Sequence, residues 1–244
     1  MVPRFFVPDL DPSRREAILP VDEARHLTRV LRLGAGGEVL VFDGRGNQYR
    51  ARVLDARRDV VRVELAGSSQ PAPESRVRLT LAQAVLKAEH MDQVVRDATM
   101  MGAAEVVPLI TSRTVVPRRA AAAAAARWTR IAVASAKQCG RAVVPVVHEA
   151  QPLDAWLRED GSHVRLVLVE PGAGKAGLDR QKLRELAAPA SASVLAGPEG
   201  GWTPDEVDSA VGAGCLPVTL GARTLRADAI PTAALSILQF LWDV

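Results

Sequence analysis

Cysteine is nearly absent from this chain. Cys139 and Cys215 are its only two, too few and too isolated for a disulfide framework. The four histidines, His26, His90, His148 and His163, are scattered, and none joins a cysteine at the spacing of zinc ligands. No metal is expected. No apolar run approaches the length of a membrane span, and the N-terminus has no signal-peptide core, so a cytoplasmic protein without membrane contact is expected. The remaining absence is of acid. Between Val106 and His148 there is no Asp or Glu, while Arg113, Arg118, Arg119, Arg127, Arg130, Lys137 and Arg141 all fall there. A solvated basic face is the ordinary reading of such a bias. Because the tract spans several predicted elements rather than one helix, it also fits the footprint of a polyanion such as RNA.

What is present is an ordinary globular composition, 48% hydrophobic and 24% charged over 244 residues, enough for one large or two small domains. Residues 1–66 read as mostly β. Val39 to Phe42 runs through the turn-rich Asp43-Gly44-Arg45-Gly46-Asn47 into Tyr49 to Val53, as a hairpin does. Val61 to Leu65 alternates with period two. Residues 22–33 read as the single helix here, with Ala24, Leu27, Val30 and Leu31 on one stripe. A module of short strands predicts a small β-barrel. Gly67 to Glu74 is small, polar and Pro-rich, a linker composition, so the domains are expected at 1–72 and 73–244.

From Val77 onward strands alternate with helices, which predicts an α/β domain with a mostly parallel sheet. Strands are expected at 77–85, 104–110, 164–169, 193–196 and 216–220. Helices are expected at 87–101, 120–137, 178–188 and 204–213, with a final one starting at Asp228 and running to about Trp242. Gly172-Ala173-Gly174-Lys175 fails as a phosphate loop, since Val169 stands where the first glycine is needed and Ala176 where Ser or Thr would hold magnesium.

Two loops near the C-terminus carry the chemistry. Leu195-Ala196-Gly197-Pro198-Glu199-Gly200-Gly201-Trp202 follows a strand and leads into Thr203-Pro204-Asp205-Glu206, a capping box with proline at the first helical position. Glycines just before a helix start let backbone N–H groups approach a ligand closely. Leu220-Gly221-Ala222-Arg223-Thr224-Leu225-Arg226-Ala227-Asp228 follows the next strand. Alone, the glycine loop would read as an ordinary turn. Two such loops at the carboxyl ends of strands mark where open α/β sheets bind ligands.

Gly-Pro-Glu-Gly-Gly followed by Leu-Gly-x-Arg-x-Leu-Arg resembles the SPOUT class of methyltransferases, in particular the family that methylates N3 of a uridine in bacterial small-subunit ribosomal RNA. The likeness continues at Arg4-Phe5-Phe6-Val7, at His26 with Val30 to Leu33, at Phe42-Asp43-Gly44, and at Gln83, Lys87, Pro108 and Gln138 to Arg141. It implies an N-terminal PUA-like RNA-binding barrel, a C-terminal trefoil knot holding S-adenosylmethionine, and a homodimer acting on small-subunit ribosomal RNA or an assembling 30S subunit. The chain departs from the family at Asp97 and Met100, where Lys and Glu are common, and at Ala227-Asp228-Ala229, where Thr-Glu-Thr is common.

The resemblance implies cofactor contacts from Glu170, Leu195, Gly197, Pro198, Glu199, Gly200, Gly201, Leu220, Gly221 and Leu225. RNA contacts are expected from Arg4, His26, Arg29, Arg32, Arg113, Arg118 and Arg141. Uridine N3 must lose a proton before it can attack a methyl group, and a guanidinium can stabilise the resulting anion. Arg226 is expected in that role, with Arg223 second, and the proton acceptor is left among Glu199, Asp228, RNA and water. Two other readings stand beside this one: a related SPOUT enzyme acting on a ribose 2′-hydroxyl or a tRNA base, and a non-catalytic RNA-binding assembly protein.

Overall fold

A computed structural model describes residues 2–172 and 180–242. In chain order its elements are β1 (Arg4–Phe6), β2 (Glu16–Ile18), α1 (Val21–Arg25), β3 (Glu38–Phe42), β4 (Gln48–Arg57), β5 (Val60–Ser68), β6 (Arg78–Ala84), α2 (Glu89–Met100), β7 (Glu105–Ile110), α3 (Arg118–Cys139), β8 (Val146–Val147), β9 (Gln151–Pro152), α4 (Leu153–Glu159), β10 (Val164–Leu168), α5 (Arg180–Glu185), β11 (Ser191–Ala196), α6 (Pro204–Gly212), β12 (Leu216–Val218) and α7 (Ala229–Trp242). The chain divides into two compact units, residues 1–74 with 133–144, and residues 75–132 with 145–244.

The first unit is a five-stranded sheet in the order β1-β3-β4-β5-β2, with β1 parallel to β3 and the other pairs antiparallel. Among the described residues its edge strands β1 and β2 do not pair, so the barrel is partly open. The alternation along β5 buries Val61 and Val63 against Phe5, Val39, Val41 and Val53. The hairpin turn is held by the Asp43 carboxylate, which accepts hydrogen bonds from the Arg45 and Asn47 backbone N–H groups and from Asn47 Nδ2.

The helix expected over 22–33 is corrected. Five α-helical residues give way to a π-turn at His26–Val30. The wider turn rotates the residues after it, so Leu27 stays buried while Val30 and Leu31 are exposed.

Two expected RNA contacts are also corrected within this unit. All five N–H donors of Arg4 are taken: Nε and Nη2 by Gln48 Oε1, Nη1 by the carbonyls of Ala136 and Lys137, and Nη2 again by that of Arg141. Arg4 therefore satisfies open carbonyls at the C-terminal end of α3. Arg141 is buried and paired with Glu74 through Nε and Nη2. Neither guanidinium is available to a phosphate.

The second unit is an all-parallel sheet in the order β12-β10-β11-β6-β7-β8, with β9 also alongside β7. Its central strand β11 is a run of buried residues, as expected for a strand covered on both faces. β11 enters between β10 and β6, the chain returns to place β12 beyond β10, and α7 then comes back to pack on α2, β6 and β11. A trefoil knot requires such a return. The β10–β11 connection includes residues 173–179, which lie outside the described residues, as do most of the Gly172 to Lys175 loop and the start of the helix expected at 178–188.

Of the two departures on α2, Asp97 meets this returning helix, as does Met101 just past the end of α2. Asp97 Oδ2 accepts from Thr232 Oγ1 at 3.1 Å, and Ser236 and Gln239 donate to the sulfur and the carbonyl of Met101. α2 buries Met91, Val94, Val95 and Ala98, the stripe its periodicity predicts. Between Pro145 and His163, β8, β9 and α4 were not anticipated, being too short to show a period.

Candidate functional site

The glycine loop is built from β11 outward. The Gln83 side chain, buried on β6, donates from Nε2 to the carbonyls of Ala196 (3.4 Å) and Gly197 (3.0 Å) and fixes the loop's first residues. Glu199 Oε1 accepts the Lys87 backbone N–H at 3.0 Å, tying the loop to the end of β6. Trp202 folds back, its Nε1 donating to the Leu168 carbonyl at 2.9 Å. A Cβ on Gly197 would stand 3.2 Å from that indole, and Gly201, at φ +69°, would place one 3.1 Å from Glu170 Oε1. Gly201 thus favours glycine through its backbone, and Gly197 leaves little room for a side chain.

The capping box predicted at Thr203 is present. Thr203 Oγ1 accepts from Glu206 N at 3.2 Å, and Glu206 Oε2 accepts from Thr203 N at 2.8 Å. The other carboxylate oxygen of Glu206 accepts from Ser112 N at 2.7 Å. Burial raises the pKa of this carboxyl, but the N–H donors outweigh it and hold it below the ordinary value.

The second loop runs from β12 to α7 and faces the first across a cavity of about 230 Å³. Apolar lining comes from Leu86, Leu168, Val169, Val218, Leu220, Leu225 and Ile230, and polar lining from Glu170, Glu199, Arg223, Arg226, Asp228 and His90. Asp228 is the centre of the polar side. Its carboxylate accepts from Arg226 Nε at 3.1 Å and Nη2 at 3.0 Å, and lies 3.1 Å from His90 Nδ1. Burial pushes this carboxyl up, but the Arg226 charge and the hydrogen bonds around it prevail, so its pKa lies below the usual value.

Of the residues expected at the cofactor, Glu170, Gly197, Pro198, Glu199, Gly201, Leu220 and Leu225 line the cavity together with Arg223 and Arg226. Three others lie off this lining. Leu195 is fully buried in the core beneath, with Leu109 and Val167. Gly200 faces Arg113. Gly221 lines a separate apolar cleft with Ile237 and Phe240. Arg113, expected at RNA, donates from Nη1 to the carbonyls of Gly200 (2.7 Å) and Trp202 (3.2 Å), so it braces the glycine loop. Arg29, Arg32 and Arg118 are exposed, and His26 is half-buried with its ring edge-on to Phe5.

The sequence reading missed His90, Leu86 and Trp202. Trp202 directly follows the glycines and was within reach of a local argument. His90 was not, since 138 residues separate it from Asp228. Burial pushes the Cys215 thiol up to about 11, which keeps it protonated and unreactive. Among the described residues no group of three or more His, Cys, Asp or Glu side chains could hold a metal ion, and no helix is long and apolar enough to cross a membrane.

Loops of this make, gathered at the carboxyl edge of a parallel sheet, define a ligand-binding α/β enzyme domain. Residues 73–239 match the RNA methyltransferase domain family, and residues 19–65 match the RNA methyltransferase PUA domain. The chain belongs to this family, in which its relatives are the ribosomal RNA small subunit methyltransferases E, and it is an RNA methyltransferase. The relative from Synechocystis is 31% identical over 92% of this chain and 73% of its own length, and that from Mycobacterium tuberculosis 29% identical over 98% and 93%. Among solved structures, the Neisseria gonorrhoeae methyltransferase E bound to S-adenosyl methionine superimposes with a TM-score of 0.88 at 31% identity, covering 99% of this chain and 98% of that one. A putative methyltransferase from Legionella pneumophila, also in complex with S-adenosyl methionine, gives 0.89 at 28% identity over 98% of both chains.

Proposed function

We propose that the protein methylates N3 of one uridine in small-subunit ribosomal RNA, using S-adenosylmethionine bound between the two C-terminal loops. The observation that carries this reading is the cavity itself, apolar on one side, glycine-lined on another, with Arg226 and Arg223 at its polar edge. The residues fit the cofactor. Leu168, Val218, Leu220 and Leu225 offer an apolar wall to an adenine, while Gly197 and Gly201 leave room for close approach and Glu170 and Glu199 supply acceptors. When bound, the cofactor supplies an electrophilic methyl group, so the chain's task is to orient the acceptor and manage its charge. Arg226 keeps Nη1 free of any partner among the described residues, and this edge stabilises the negative charge that spreads onto the uracil oxygens as N3 is deprotonated.

The N-terminal segment 1–72 serves as the RNA-binding module, through Arg29, Arg32 and His26, and segment 73–244 as the catalytic one, with Arg118 adding to its basic surface. Either ribosomal RNA or the assembling subunit is the partner, in the cytoplasm. The protein works as a homodimer, with Phe240 at 80% exposure and the adjacent Ile237 on α7 covered by a second copy; sedimentation as a monomer at micromolar concentration would contradict this.

Mass-spectrometric mapping of small-subunit ribosomal RNA from cells with and without the gene tests the reaction. Loss of one 3-methyluridine is expected. A missing 2′-O-methyl group instead, or no missing modification, overturns the reading.

A further inference from the structure

The proton on uridine N3 needs an acceptor, and the site holds a group placed for it. His90 sits in the first turn of α2 and lines the cavity, with Nδ1 3.1 Å from Asp228 Oδ2. An ionised carboxylate can only accept, so Nδ1 carries the hydrogen. In the neutral ring Nε2 then keeps its lone pair. Among the described residues the imidazole has no other partner.

Resting on the N3 reading above, we propose that His90 is the catalytic residue that accepts the N3 proton, with Asp228 as the positioning residue that fixes its tautomer. The N3–H bond breaks and its proton passes to His90 Nε2. The N3 electron pair forms the new bond to the methyl carbon, and the carbon–sulfur bond breaks with its pair left on sulfur. The imidazolium then returns its proton to solvent.

The surroundings suit both halves of this cycle. At the N-terminus of α2, where His90 sits, the helix dipole opposes a positive charge. Asp228 favours the imidazolium once it has formed. Lys87 and Glu89 flank His90 along the chain, and Asp92 on the same helix is paired with Arg127 of α3 at 2.9 Å. Across the cavity stand Arg226, engaged by Asp228, and Arg223, Glu170 and Glu199. Arg226 and His90 thus share one carboxylate, and a single anchor sets both the proton acceptor and the anion stabiliser.

The test is the pH dependence of single-turnover methylation by the full-length enzyme and its His90→Gln variant. The wild-type rate is expected to rise through the imidazole range and level off. His90→Gln should lose on the order of 100-fold at neutral pH, and the deficit should shrink as the pH climbs to where uracil ionises unaided. Calorimetric affinity for S-adenosylmethionine should be unchanged. A wild-type rate in the variant, a deficit independent of pH, or lost cofactor binding overturns the role. A second measurement needs no turnover: nitrogen NMR shifts of the His90 ring in the free enzyme should report hydrogen on Nδ1 and lose that preference in Asp228→Asn, and an unaltered spectrum would show that the pair does not operate. If the wild type yields no 3-methyluridine, the N3 reading fails. If it does and His90→Gln behaves as wild type, only this inference fails.

Discussion

The parallel sheet of the second unit carries a histidine, a carboxylate and an arginine at each of its ends. At the carboxyl end they are His90, Asp228 and Arg226. At the amino end they are His148, Glu105 and Arg78, with His148 Nε2 2.6 Å from Glu105 Oε2 and Arg78 Nη2 donating to Glu105 Oε1. The two histidines are almost equally exposed, at 38% and 39%, and both carboxylates at 20%, so the triads themselves do not differ in access. Their surroundings differ. The amino-end triad borders a polar cleft of Thr80, Gln151, Asp160, Ser162 and Ser191, where strands begin. The carboxyl-end triad faces an apolar wall and two glycine positions that admit a ligand to the backbone. The same three side-chain types thus meet a cavity of loop and helix-start residues at one end and a polar cleft at the other.

The largest effect separates the two arginines. Arg226→Ala should lower methyl transfer by roughly 100- to 1000-fold, the range for losing one donor aimed at a developing anion, while calorimetry still detects cofactor binding. Arg78→Ala should leave turnover at the wild-type level. Near-normal turnover in Arg226→Ala would remove the functional distinction between the two ends.

Glu105 gives the amino end its own signature, in stability. Burial raises the pKa of its carboxyl, but hydrogen bonds from His148 and Arg78 and their charges outweigh that and hold it below the ordinary value. A depressed folded-state pKa stabilises the fold above the unfolded carboxylate's pKa, and that contribution is lost as pH falls through the folded one. Glu105→Gln should therefore cost about 1 kcal/mol at neutral pH, discounted for the exposed Arg78. The gap between variant and wild type should close on acidification. Denaturant melts at several pH values measure it, and a gap that widens toward acid would contradict the pairing.

The carboxyl end was the more legible of the two in the sequence, because its signals are consecutive residues: a glycine run, a threonine cap with proline and glutamate behind it, and an arginine loop. The strand and helix order of the second unit was legible for the same reason, since periodicity is local. What was hidden depends on distant residues. Arg4 reads as a surface cation until α3 presents its carbonyls to it. Gln83 reads as one polar residue in a strand until β11 lies alongside. His90 lies on an element that shares no motif with Asp228, and the π-turn after α1 leaves the hydrophobic pattern looking like a plain helix.

The smallest effect concerns what holds the glycine loop open. Thr203→Ala removes the hydroxyl that accepts Glu206 N and should cost about 1 kcal/mol in a denaturant melt, with Thr203→Ser restoring most of it. Cofactor affinity should scarcely change. The loop is also tied by Glu199 to Lys87 N, by Gln83 to the Gly197 carbonyl, by Trp202 to the Leu168 carbonyl and by Arg113 to Gly200 and Trp202, and none of these uses the hydroxyl. A tenfold loss of affinity, about 1.4 kcal/mol, would place the cap at the centre of the site. The carboxyl end would then owe its ligand cavity to the start of α6 more than to the strands beneath it.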